Sequence, residues 1–566
     1  MGAADRERCL PGTRLDTLQD LFIALIHPNP ENNIIWLRGP AGCGKSTILN
    51  TLAHYFDQLH RQGAFLFWDR NDTDSSEPHR VIHTLAHQLA RFDPMFAREL
   101  AKRINKWPRV TDSSLDSQFQ CLLQEPLSAL MTTRHFGPIV VVLDALDECG
   151  TPESRRHLLN TLSAGFAKLP KVFRVLIASR DEPDIYAALS PLKPDVRYAP
   201  MGDEPTSLDI QLLFQKRLAS DASAFLSYGL PPEWPGVDVI RKLVTLSGGL
   251  FIWASTTVRF IEHGFPSERL NKVLHTSHAS SHTKLDDLYR VALTHPFRSY
   301  EESEHKAVHS ILGAILVARE QLTEEQLSQL LGLAIDTVRN VLLRLQPLLQ
   351  GGRGQPVWVL HTSFIDFLCD IGRCQDPKWH VITSVHHLDL ASRCLRIMEQ
   401  NLKFNICGIE TSYYSNNELE GIQERVDQAI TPALMYACQH WASHLESGTA
   451  QKEGSHPLAD PVRSFVTRRL LYWIEVFSVK GRMSMIPAIL RKASSWAKVR
   501  HFPDVQGQQL TDFAYAEIWT WSRGCHLKRI QIRQCLRVSY ESERATHLSL
   551  CITLFTRRFR CSASYA

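Results

Sequence analysis

The sequence predicts an α/β domain, a parallel sheet flanked by helices, leading into a helical half. Three observations predict it. Continuous apolar runs at 33–38 (NIIWLR), 64–68 (AFLFW), 138–143 (PIVVVL) and 172–178 (VFRVLIA) alternate with helically spaced stretches over about residues 31–200, with 195–198 (DVRY) as a candidate fifth strand. Unbroken β-branched runs belong to strands covered on both faces, and strand–helix alternation belongs to parallel sheets. A glycine-rich turn follows the first run, and ILNTLAHYF after it has helical spacing. Beyond residue 205 the strand runs stop, and helical patterns take over at 207–220, 236–246, 250–263 and 284–293.

Within the first part, 80–105 reads as one amphipathic helix or two. Residues 303–360 predict a smaller arrangement. A helix at 304–318 precedes Thr323-Glu324-Glu325-Gln326, a capping-box sequence that opens a second helix. Asp336 is placed to cap a third helix through about Gln346, Gly351-Gly352-Arg353-Gly354 make a turn, and VWVL (357–360) makes a strand. Three helices and a β-wing form a winged-helix-like unit. Amphipathic stretches near 384–403, 424–445 and 461–479 predict more helices.

Composition narrows the function classes. A chain of 566 residues makes about three to five domains at roughly 100–200 residues each. Hydrophobic residues at 44% and charged residues at 22% exclude a disordered, collagen-like or bare coiled-coil chain. The formal net charge of +4 lies in residues 501–566, which hold nine Lys and Arg against five Asp and Glu; the rest is balanced in sign. No nucleic-acid partner is expected of such a body. The 13 Cys include no C-x-x-C pair and suit reduced thiols in cores. No apolar run reaches the roughly 18 residues of a membrane span. MGAADRERCL lacks an apolar leader core, and Arg6 stands where N-myristoylation wants Ser or Thr. The expected location is cytoplasmic.

The chemistry is carried by three motifs. Gly39-Pro40-Ala41-Gly42-Cys43-Gly44-Lys45-Ser46, followed by Thr47, matches G-x-x-x-x-G-K-[ST], the Walker A phosphate loop. Its glycines let successive N–H groups face phosphate oxygens, and the following helix adds its positive N-terminus. Lys45 is expected on the β- and γ-phosphates and the Ser46 hydroxyl on Mg²⁺. The second motif is the strand 138–143 ending in Asp144-Ala145-Leu146-Asp147-Glu148. Asp144, at the strand tip, takes the Mg²⁺ role, and Glu148 or Asp147 can polarise the attacking water. The third is Ser179-Arg180 at the end of 172–178, where the Arg can sense a γ-phosphate.

In this order and spacing the three motifs resemble the NACHT class of STAND signalling NTPases, most of all the fungal, basidiomycete-type group whose P-loop domain is called nephrocystin 3-like N-terminal. Cys9–Arg14 (CLPGTR), IIWLRGPAGCGKST, TLAHQLA (84–90), LSGGLFIWASTTVRFI (246–261), LDDLY (285–289) and LHTSFIDFL (360–368) also resemble that group, so the likeness runs over about 8–480. It implies a P-loop NTPase followed by a helical segment, a winged-helix-like domain and a helical C-terminal region. It implies ATP (or GTP) and ADP with Mg²⁺, slow hydrolysis, and self-association through the NTPase domain with protein partners unspecified. By the same resemblance His361 contacts the β-phosphate of ADP, with Thr362 standing where an Asp is usual, and Thr13 and Arg14 lie on the adenine side. A role in fungal self/non-self recognition or cell death rests on the resemblance alone.

The expected organisation is a lead-in at 1–30, a NACHT P-loop NTPase domain at 31–204, a helical domain at 205–295, a winged-helix-like domain at 296–370, a helical region at 371–500 and an atypical tail at 501–566, a gene-model artefact or a basic interaction tail. Such a chain is a stripped-down family member or a fragment of one. Two other function classes stay open: a catalytically idle, nucleotide-bound scaffold, and a remodelling ATPase stimulated by its client.

Overall fold

In a computed structural model, residues 7–27, 32–68, 78–129, 137–219, 225–275, 281–409, 421–448 and 457–499 are described. The expected tail 501–566 lies outside them. Five strands, β1 (Ile34–Arg38), β2 (Gln62–Phe67), β3 (Ile139–Asp144), β4 (Phe173–Ser179) and β5 (Asp195–Tyr198), form one sheet in the order β2-β3-β4-β1-β5. Every pairing is parallel. The side-chain period of two divides each strand between two cores. Ile34, Trp36, Ile139, Val141, Leu143, Val175 and Ile177 face the helices Val81–Phe92 and Pro152–Phe166. Ile35, Leu37, Val140, Val142, Leu176 and Ala178 face the helices Leu15–Ile26 and Lys45–Gln58. Each fully buried branched side chain contributes about 1.5–3 kcal/mol, and this double burial is why the strands read as unbroken apolar runs.

From the helix Glu204–Arg217 onward the described chain is helical except for one hairpin, β6 (Leu349–Gly352) and β7 (Gln355–Val359). One continuous apolar core runs from Ile210 to Ala497 and takes in Trp253, Trp379, Trp441 and Trp473. The helix Glu302–Val317 precedes the helix Glu324–Leu331, whose capping box closes as expected: the Thr323 N–H donates to Gln326 Oε1 at 2.9 Å and the Gln326 N–H to Thr323 Oγ1 at 3.3 Å. Among the described residues no helix is long and apolar enough to cross a membrane.

Three expectations are corrected. The helix Ile335–Arg344 begins one residue before Asp336, behind Ala334, so Asp336 lies in the first turn and does not cap. Its charge there still favours the helix N-terminus. The stretch 424–445 is two helices, Ile422–Ala429 and Pro432–Ser447, because Thr431 caps the second through Leu434 N–H and Pro432 occupies its first position. The stretch 461–479 likewise divides into Ala459–Arg468 and Leu470–Val479. Residues 80–105 resolve as two helices, Val81–Phe92 and Pro94–Lys106, divided at Asp93, whose side chain accepts from Met95 and Phe96 N–H.

A buried histidine network crosses the last helices. His387 Nδ1 meets His444 Nδ1 at 2.8 Å, and His444 Nε2 meets the Tyr436 hydroxyl at 2.9 Å. Burial, then neighbouring Arg319 and His386, pushes His387 down to about 3; burial and His309 push His386 down to about 4; burial and His387 hold His444 well below its ordinary value. These rings are neutral when folded. Between pH about 6.5 and their folded values the unfolded chain binds more protons, so stability present above pH about 6.5 is lost as pH falls. Each such His contributes a slope of about 1.4 kcal/mol per pH unit. Melting temperature is therefore expected to fall steadily from pH 7 to pH 5, and a His386→Gln/His387→Gln variant should flatten that fall. Equal slopes in the two proteins would show that other groups set the acid limit.

Candidate nucleotide site

The glycine-rich loop runs from the end of β1 into the helix Lys45–Gln58. Gly42 (φ +80°) holds left-handed backbone, and a Cβ there would run into Ile252. The contact is close because the Ile252 N–H donates to the Gly42 carbonyl at 3.1 Å, docking the helix Phe251–Glu262 on the loop. Lys45 Nζ donates to the Gly39 and Pro40 carbonyls at 2.8 and 2.9 Å. Cys43 is buried, Thr47 Oγ1 donates to the Gly44 carbonyl at 2.8 Å, and Ser46 Oγ donates to Asp144 Oδ1 at 3.0 Å.

Asp144 is 1% exposed at the tip of β3. Two hard oxygen donors meet there, at a helix N-terminus beside a phosphate-type loop, a donor set that fits Mg²⁺. After Asp144 the chain turns through Ala145 (φ +58°) into a short 3₁₀ turn, Leu146–Glu148, whose two acids are buried and not in a solvated loop. The Asp147 carbonyl accepts from Arg155 Nη1 at 2.6 Å, and Arg155 is clamped in turn by Asp184.

Arg180 follows β4 and ties the strand tip both to the 3₁₀ turn and to a later helix. Its N–H donates to Asp147 Oδ1 at 3.0 Å and its Nε lies 3.2 Å from Asp147 Oδ2. Its Nη1 donates to Asp366 Oδ2 and its Nη2 to Thr362 Oγ1, each at 2.8 Å. Burial opposes the charge, but the Asp366 and Asp147 carboxylates outweigh it and hold the guanidinium pKa above its ordinary value. Thr362 and Asp366 are four apart on the helix Thr362–Cys369, hence on one face.

His361 is the N-cap of that helix, its Nδ1 accepting from the Ser363 N–H at 3.1 Å, which leaves the proton of the neutral ring on Nε2. Burial, with Arg180 and Lys45 nearby, pushes its pKa down to about 3. At the other end Thr13 Oγ1 donates to the Leu10 carbonyl at 2.8 Å. Arg14 is not a surface charge. It is buried, stacks on Phe251 at 4.6 Å, and donates to the Cys43 carbonyl (2.8 Å), the Pro200 carbonyl (3.0 Å) and Thr206 Oγ1 (3.0 Å); burial lowers its pKa.

One cavity of about 600 Å³ gathers these parts: Thr13, Arg14, Ala41, Gly42, Gly44 to Thr47, Asp144, Asp147, Glu148, Arg180 and His361 all line it. Gly39, Pro40 and Cys43 belong to the loop but not to that lining. Sequence reasoning named Thr362 but not its bond to Arg180, and missed Asp366, the other partner of Arg180, and Phe251 and Ile252, which close the loop side. The tract LSGGLFIWA was visible, but nothing local in it names a partner.

The parallel sheet, the loop and the helical half together are the fold of a P-loop NTPase followed by helical domains. Residues 12–180 match the family model described as Nephrocystin 3, N-terminal. No curated protein matches the chain. Among solved structures, a Signal Transduction ATPase with Numerous Domains (STAND) protein with a tetratricopeptide repeat sensor, from Pyrococcus horikoshii, aligns at 13% identity over 98% of this chain and 86% of that one, with a TM-score of 0.37.

Proposed function

We propose, for a chain whose residues 12–180 match the nephrocystin 3 N-terminal family model, a NACHT-type switch: it binds ATP (or GTP), hydrolyses it slowly with Mg²⁺, stays closed on ADP, and opens to self-associate on ATP. One observation carries the reading. Arg180 lines the nucleotide cavity and also holds Thr362 and Asp366, 182 and 186 residues further along the chain. A γ-phosphate is a stronger partner for a strand-tip guanidinium than one carboxylate. Arg180 would exchange Asp366 for it, and the Thr362–Cys369 helix would lose that anchor. ADP offers no such competitor, so the two nucleotides bind the two states differently, as any switch requires.

The other residues fit supporting roles. Lys45 and the loop N–H groups would hold phosphates. Ser46 and Asp144 would hold Mg²⁺, which neutralises phosphate charge when bound. Glu148 would orient the attacking water, while Asp147, with both oxygens on Arg180, would position that arginine. His361 would offer its Nε2–H to the β-phosphate, and Thr13 and Arg14 would border the base. We read the helices Glu302–Val317, Glu324–Leu331 and Ile335–Arg344 with the β6–β7 hairpin as a winged helix, within domains at 31–204, 205–295, 296–370 and 371–500.

Asp366→Asn tests this. It keeps the shape and removes the charge, weakening a charge-assisted bond of about 1.5–3 kcal/mol. Release of a fluorescent ADP analogue is expected to quicken about tenfold, with more oligomer by light scattering at equal ATP. Unchanged ADP release and unchanged mass would remove Arg180 as the link.

A further inference from the structure

A second cavity, about 1000 Å³, shares no lining residue with the nucleotide cavity. It lies between Phe265 and the following helix Pro266–Leu274, residues 295–299, the helix Ile335–Arg344 and the hairpin turn at 351–353. Five arginines line it, Arg269, Arg298, Arg339, Arg344 and Arg353, against Glu268 and Glu324. Both acids are engaged within the protein. Glu324, 4% exposed, accepts from Arg339 Nε at 3.0 Å and from the Arg353 N–H at 2.6 Å. Glu268 holds Lys272 at 2.8 Å.

The side chains of Arg269, Arg298, Arg344 and Arg353 hydrogen-bond no carboxylate among the described residues. Arg269 is spent on the Phe260 carbonyl, and Arg344 on the Pro296 carbonyl and the Asn340 side chain. The local field is correspondingly positive: after burial, Lys272, Arg269 and Arg298 are what lower the pKa of His295 in the same wall. Two apolar side chains project at the margin, Phe265 at 73% and Leu343 at 55% exposure.

The shape decides among anions. A major-groove reader of duplex DNA presents a projecting helix or β-ribbon to a groove about 12 Å wide. Here the arginines are spread over separate segments facing one cavity (Arg269; Arg298; Arg339 and Arg344 of the helix Ile335–Arg344; Arg353 of the hairpin turn) and not along one projecting helix face. An extended peptide fits a groove of this size, and its spaced carboxylates suit guanidiniums spread along the walls. We propose that this groove docks an acidic segment of a partner protein, with carboxylates on Arg298 and Arg353 and an apolar side chain against Phe265 and Leu343.

The test uses the full chain and a fluorescein-labelled peptide of Glu pairs alternating with Leu, read by fluorescence anisotropy. A Lys45→Ala background removes anion capture by the phosphate loop. Saturable, salt-sensitive micromolar binding is expected, unchanged by Lys45→Ala. The exposed-site pair Arg298→Glu/Arg353→Glu should weaken it at least about tenfold with an unchanged melting curve, and Leu343→Ser should weaken it less. No saturable binding, or equal binding by the reversed-charge pair, overturns the proposal. So does tighter binding of duplex DNA or tripolyphosphate that is lost with the same pair, since the groove would then read phosphates.

Discussion

A Lys45→Ala protein is expected to purify without nucleotide, while the wild type carries ADP in near-stoichiometric amount. The lysine sits at the first residue of the helix Lys45–Gln58 with its ammonium on the Gly39 and Pro40 carbonyls, partners it can give up at little cost when phosphate oxygens are offered. Two charge-assisted hydrogen bonds at about 1.5–3 kcal/mol each make the loss of affinity at least about a hundredfold. The fold should survive, since the side chain holds only two carbonyls of its own loop, so melting temperature should move little. The measurement is chromatography of nucleotide released on denaturation, beside a thermal melt. A wild type that folds but carries nothing would sink the ADP-held resting state.

The second large effect is at Glu148. Glu148→Gln preserves shape and removes the second buried carboxylate of the 3₁₀ turn, one that lines the cavity together with Ser46 and Asp144. General-base or water-orienting groups contribute about 10²–10⁴-fold to rate, so single-turnover hydrolysis should slow at least about a hundredfold. Nucleotide affinity should hold, and the purified protein should carry ATP in place of ADP. Asp147→Asn should behave differently: it loosens Arg180 and should alter ATP-against-ADP preference more than the chemical step. Hydrolysis unchanged in Glu148→Gln would favour the idle scaffold; fast wild-type turnover stimulated by a client would favour the remodelling ATPase.

Much of this was legible in the sequence because its determinants are local. The strands announce themselves by double burial, and the phosphate loop by glycines whose spacing is the geometry. Asp144 is found by being next after a buried run. The Arg180 anchor is not local. Thr362 and Asp366 lie more than 180 residues away, and no periodicity links a strand tip to a helix face. Helix boundaries failed where a neighbour's end competed: Gly332 closes the preceding helix in left-handed backbone, so the next one starts before Asp336. Amphipathic periodicity also ran across the break at Thr431-Pro432, since both helices pack on the same core.

The burial of Arg14 has a consequence for how such a domain is inherited. Counted by its sheet, the nucleotide domain starts near residue 31. Arg14 nonetheless reaches the phosphate loop at Cys43, the chain after β5 at Pro200 and the helix Glu204–Arg217 at Thr206. A recombination breakpoint between residues 14 and 31 would therefore hand on an intact sheet with an unfastened phosphate loop. The smallest unit that can be shuffled whole between genes begins ahead of Thr13 and ends beyond Thr206.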